Sequence, residues 1–192
     1  MAPRNVLGSL RGLGFRPRTR AVRALRALVI VVAGSVAISA CGDPVRDRAR
    51  EALGPEQPGV SPGPLHRPGQ PCLVCHSDQG GEEPFLSAGT VFISRDSRMP
   101  IENVKVNFLD SAAHRYTAVT NCAGNFIVRP GDFAVDTPYW VSMQRDDVYR
   151  EMDTAIYREG SCSACHSDPI GPASAGHVFL IDDETVPVSA CH

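Results

Sequence analysis

The chain of 192 residues has no nucleophile beside a general base, no carboxylate pair at a defined spacing and no glycine-rich phosphate loop. Those absences remove the common bases of hydrolytic, acid–base and phosphoryl-transfer catalysis. No apolar run reaches the ~20 residues of a membrane-spanning helix; the stretch from Leu28 to Ile38 falls well short of it. The first forty residues hold no acidic side chain at all.

What those forty do hold is arginine. Arg4, Arg11, Arg16, Arg18, Arg20, Arg23 and Arg26 precede the apolar run, and Ser39-Ala40-Cys41 follows it. A basic head, a short apolar stretch and small residues before a cut are the pattern of a secretory signal over residues 1–40. No Arg-Arg pair occurs, which favours the general secretory route over the twin-arginine one. Ile38-Ser39-Ala40-Cys41 resembles the bacterial lipobox. That resemblance implies an acylated Cys41 as mature N-terminus, holding the protein to the cell envelope by several lipid chains. Ordinary cleavage that leaves an unmodified Cys first is the alternative. Losing residues 1–40 removes seven of nineteen basic residues and none of twenty-one acidic ones, so the formal charge moves from −2 to −9. This balance argues against nucleic acid, and a redox partner docking by charge should present a basic face.

Residues 41–71 read as a tether. Pro44, Pro55, Pro58, Pro62, Pro64, Pro68 and Pro71 alternate with Gly54, Gly59, Gly63 and Gly69, and such a run forms no packed core. A short charged helix is expected over Asp43 to Leu53, with extended chain after it. Residues 72–192 are long enough for one domain with a modest core. Short alternating or β-branched segments stand at Gly89 to Ile93, Val104 to Leu109, His114 to Thr120, Gly124 to Val128, Tyr139 to Gln144 and His177 to Ile181. Turn residues separate them, so the expected fold is all-β, a single sandwich. Gly89-Thr90-Val91, Pro100-Ile101-Glu102-Asn103-Val104-Lys105-Val106, Thr120-Asn121-Cys122-Ala123-Gly124-Asn125-Phe126 and Arg129-Pro130-Gly131 resemble the carboxypeptidase regulatory-like (transthyretin-like) β-sandwich across residues 88–145. The resemblance implies a scaffold without enzymatic activity, in which the Thr-Asn-x-x-Gly-x-Phe turn is structural. Phe108, Phe126 and Trp140 are then expected in the core.

Chemistry enters at two Cys-x-x-Cys-His segments, Cys72-Leu73-Val74-Cys75-His76 and Cys162-Ser163-Ala164-Cys165-His166. This is the attachment pattern of c-type haem. Two thiols add across the two vinyl groups, the two intervening residues span the gap between them, and the adjacent His reaches the iron. The motifs sit in an internal repeat: Ser77-Asp78 then Ser87-Ala88-Gly89-Thr90-Val91-Phe92-Ile93, against Ser167-Asp168 then Ser174-Ala175-Gly176-His177-Val178-Phe179-Leu180. Two haem cradles flanking one sandwich are expected, adjacent if the two repeated strands are neighbours. Two other readings use the same thiols. A zinc site normally spaces its Cys pairs by ~15–20 residues, far closer than these lie. A dithiol redox pair wants a helix start behind a strand, which neither motif offers.

Four thiols on haem and one on lipid leave Cys122 and Cys191, an even remainder that suggests a disulfide in an oxidising compartment; two free thiols are the alternative. His76 and His166 are the expected proximal iron ligands. For the distal position His177 comes first, because it replaces Thr90 in the repeat, and His66 second, because it lies just upstream of the first motif. His114, His192, Met99, Met143 and Met152 follow, a Met ligand raising the potential relative to His. The expectation is therefore a lipid-anchored dihaem electron carrier, not an enzyme, with redox proteins as partners. Its rival is a lipid-anchored β-sandwich envelope or binding module whose paired Cys are closed as disulfides.

Overall fold

The computed structural model describes residues 43–56, 58–60, 62–78, 82–181 and 191. The signal at 1–40, acylation at Cys41 and a ligand at His192 lie outside them. The chain divides into two units, 1–44 and 45–192, and the second carries all that follows. Among the described residues no helix is long and apolar enough to cross a membrane.

Helix α1, Pro44–Ala52, opens on proline, which suits the first helical turn, and buries none of its residues. Among the described residues the rest is mostly β, with two short 3-10 turns, in two antiparallel sheets. One pairs β1 (Ser87–Thr90) with β4 (Asn125–Val128), setting Gly89 opposite Phe126. The other runs in the order β3 (Arg115–Val119), β2 (Lys105–Asp110), β5 (Tyr139–Arg145), β6 (Val148–Glu151).

Period-two alternation decides which faces meet. Val106, Phe108 and Asp110 of β2 point inward, as do Tyr139 and Met143 of β5. Val106, Phe108, Tyr139 and Met143 share one core with Val91, Ile101, Phe126, Val128 and Leu180. Phe108 is its hub, with ring centroids of Tyr116, Phe126, Phe133 and Tyr139 at 6.0–6.4 Å, the tilted spacing aromatic pairs favour. Phe108 and Phe126 are buried as expected. Trp140 is not: it sits one residue out of phase with Tyr139 and is 43 % exposed.

Two further expectations are corrected, and one strand is added. Strand β6 went unread because all four of its residues are exposed and no alternation marks it. His177 to Ile181 forms no strand of its own, but lies parallel beside the first copy of the repeat through Phe92↔Phe179. Phe92 and Ile93 take part through N–H···O bonds at 2.8–3.3 Å with Val178, Leu180 and Ile181. The extended tether gives way well before Pro71. Asn125 Nδ2 donates to Pro64 O (3.1 Å) and His66 O (3.2 Å), Asn121 Nδ2 donates to Pro64 O (2.8 Å), and Gly69 N donates to Thr90 Oγ1 (2.7 Å).

The turn before β4 is locked locally. Asn121 Oδ1 accepts the amides of Ala123 (3.0 Å) and Asn125 (3.1 Å), a short side chain standing in for backbone. Gly124 has φ +70°, and a Cβ there would lie 2.5 Å from Val91 O. Cys122 in this turn is disulfide-bonded to Cys191, Cα to Cα 5.2 Å.

Asp110 pins the opposite end. Its carboxylate accepts the amides of Ala112 (3.0 Å), His114 (2.7 Å) and Asp136 (3.0 Å), and His114 Nδ1 lies 3.0 Å away. Burial works to raise its pKa, but the amides of Asp136 and His114 and the His114 ring outweigh burial and hold it below the ordinary carboxylate value. A depressed folded pKa gives stability that is present above the unfolded value of about 4 and lost as pH falls through the lower folded one.

Two outcomes follow for unfolding in urea. Phe108→Ala should cost ~3–5 kcal/mol and Trp140→Ala less than ~1 kcal/mol; equal losses would contradict the inward and outward assignment. Asp110→Asn should flatten the acid limb of stability below about pH 4, and an unchanged acid limb would remove the role given to this carboxylate.

Candidate functional site

Both Cys-x-x-Cys-His segments fold the same way. Each forms one 3-10 turn, Cys72–Val74 and Cys162–Ala164, entered from an extended residue, Pro71 or Ser161. Cys72 O accepts the amides of Cys75 (3.2 Å) and His76 (3.0 Å), and Cys162 O accepts those of Cys165 (3.2 Å) and His166 (2.8 Å). So tight a turn presents the two thiols and the following imidazole together.

The histidines are oriented alike. His76 Nδ1 lies 2.9 Å from Glu83 O, and His166 Nδ1 lies 2.8 Å from Gly176 O. A carbonyl only accepts, so each Nδ1 carries a proton, and in the neutral ring the lone pair is then on Nε2. That arrangement is the one that readies an imidazole to ligate metal through Nε2. His76 is further held by stacking on Phe85, centroids 4.0 Å apart at 6°.

Each turn opens on its own cavity. Cys162, Cys165 and His166 line one of about 580 Å³, walled by Phe126, Met143, Ile156 and Phe179. Cys72, Cys75 and His76 line the other, about 590 Å³, with His66, Phe85, Phe126 and Ile127. Both fall within the ~300–1,000 Å³ of small-molecule and cofactor pockets. Arginines stand at both: Arg95, Arg150 and Arg158 at the first, Arg67 and Arg129 at the second.

The remaining expected ligands part company. His66 lies with His76, ring centroids 5.8 Å apart, and its Nδ1 is bonded to Gly63 O. His177, first from the repeat, is 2 % exposed and engaged on both sides. Its Nδ1 is 2.8 Å from Ser97 O, Phe92 stacks on it at 4.3 Å, and its Nε2 faces Asp168 Oδ1 at 3.3 Å. That last pair makes no hydrogen bond, and Asp168 Oδ1 is held by an ion pair with Arg98 Nη2 at 2.8 Å. His177 does border the cavity of the second motif. His114 is on Asp110, far from this chemistry in role.

The four motif thiols are free. Burial pushes Cys72 up to about 11 against the lowering effect of its backbone hydrogen bond, with Cys75 adding to the rise. Burial, then the neighbouring Cys72, Glu159 and Cys165, push Cys162 up to about 12. Both are neutral thiols at pH 7, the opposite of the activated thiolate that a dithiol oxidoreductase needs. Among the described residues, the grouping of three ligand-type side chains within 4.8 Å is Asp110, His114 and Asp136, not the motif thiols. Sequence reasoning missed that grouping; the Asp110 oxygens in it are taken by four donors.

No protein-family model matches the chain, and no curated protein and no solved structure matches it either.

In haem-free protein at pH 8, alkylation followed by peptide mapping should label exposed Cys165 first and Cys162 last, separated by roughly tenfold or more in rate. Faster labelling of Cys162 would contradict the buried, neutral thiol.

Proposed function

We propose that this chain is an exported, lipid-anchored electron carrier that attaches two c-type haems. The observation that carries the reading is the matched pair of imidazoles. In both motifs Nδ1–H is committed to a carbonyl, leaving Nε2 free beside two free thiols and a cavity of about 580 or 590 Å³. When bound, haem supplies an iron that cycles between two oxidation states.

The chain's own residues do the rest. Cys72 and Cys75, and Cys162 and Cys165, give the thioether sulfurs, while His76 and His166 give the proximal nitrogens. His66 is the distal ligand supported at the first site, since it is the imidazole lying with His76. His177, buried, held on Ser97 O and stacked on Phe92, is better suited to bracing this region than to reaching iron. The arginines at each cavity answer the two propionates. The scaffold reads as a β-sandwich of the carboxypeptidase regulatory-like kind, with both sheets feeding one core and the Asn121 turn acting structurally. With acylation at Cys41, α1 and the proline-rich stretch would stand this body off the envelope membrane. Its acidic surface would meet a basic redox partner.

The test is expression of the full chain with a cytochrome c maturation system. Two haems per chain are expected by pyridine haemochrome, falling to one in Cys72→Ala/Cys75→Ala and to one in Cys162→Ala/Cys165→Ala. His66→Ala should move one of the two haems from a low-spin towards a high-spin ferric spectrum. A colourless product leaves only the acylated binding module, and an unaltered spectrum in His66→Ala removes that ligand.

A further inference from the structure

We infer that the two haem sites are a closely adjacent pair, separated only by β1 and the ring of Phe126, so that each responds to the charge of the other. The inference rests on the haem reading above and goes beyond it, because two attachment motifs on one domain need not be neighbours.

Three observations carry it. The second motif lies directly on β1: a Cβ on Gly89 would be 2.8 Å from Cys162 Cβ and 3.1 Å from its Sγ. The first motif reaches the same place from the other direction. Gly160, two residues before Cys162, approaches so closely that a Cβ there would lie 2.1 Å from Leu86 O and 3.0 Å from Leu73 Cδ2, Leu73 being inside the first motif. Ala88 N and Ser87 Oγ both donate to Gly160 O, at 3.0 and 2.9 Å. Finally, Phe126 belongs to the walls of both cavities and is only 2 % exposed. One buried aromatic ring and one glycine-bearing strand therefore separate the two sites.

Close charges in an apolar wall are poorly screened. Adding an electron at one site makes addition at the other harder, so the pair titrates as a pair. Gly89 and Phe126 are positioning residues for this coupling, acting through Cys162 and through the shared wall.

Circular dichroism in the Soret region tests it on the full matured chain without any substitution. A two-signed couplet is expected in the two-haem protein. It should be lost in Cys72→Ala/Cys75→Ala and in Cys162→Ala/Cys165→Ala, each of which keeps one haem. A potentiometric titration of the two-haem protein should spread over a wider range than the sum of the two one-haem variants. Phe126→Leu should shift the absorption of both haems, not one. A two-haem protein whose Soret dichroism and titration equal the sum of its one-haem variants overturns the close pairing and leaves the electron-carrier reading standing. A protein that carries no haem overturns both, and its mass shows this before any dichroism is recorded.

Discussion

The site hangs on β1, and β1 accepts its neighbours because residue 89 has no side chain. All four residues of the strand are buried. One edge is taken by β4, and the other receives Gly160 and Ser161. A side chain on Gly89 would collide with Cys162 on one side and Phe126 on the other. Glycine costs strand stability through entropy; here its return is a backbone close enough to carry a thiol-bearing turn on its surface. The same strand continues through Phe92 and Ile93 into pairing with the second copy of the repeat. The two copies thus support each other, which neither could do as an isolated turn.

Around that strand the polar groups are arranged to hold geometry, not to react. The Nδ1–H bonds of His76 and His166 choose a tautomer, and the high thiol pKa values of Cys72 and Cys162 keep those sulfurs neutral. Such sulfurs do not suit reversible disulfide chemistry, where a low pKa drives turnover. At the far end of the larger sheet Asp110 satisfies three amides, a scaffold task that a sequence scan would mistake for metal chemistry.

Much of the all-β architecture was legible because alternation and turn residues mark β1 to β5. The turn at Asn121–Gly124 was legible for a physical reason: a positive φ wants glycine and an Asn side chain can cap its own loop. Trp140 was misread because a large aromatic on a strand says nothing of which face it occupies; the phase of Tyr139 and Met143 decides that. The two Cys-x-x-Cys-His segments stand out by spacing alone, and both fold as the same turn. His66, which lies with His76, was legible only as a second choice, since repeat arithmetic put His177 first. What draws His66 towards His76 is a pair of asparagine amides about sixty positions along the chain, acting on carbonyls of a segment that looked like free tether. Composition marks that segment as tether, but contacts that distant leave no trace in local pattern.

Intact mass of the natively matured protein bears on the central claim most directly. The account predicts a chain heavier by two porphyrins, with both retained after denaturation and digestion as thioether-linked peptides containing His76 and His166. A mass equal to the bare or merely acylated polypeptide would contradict it.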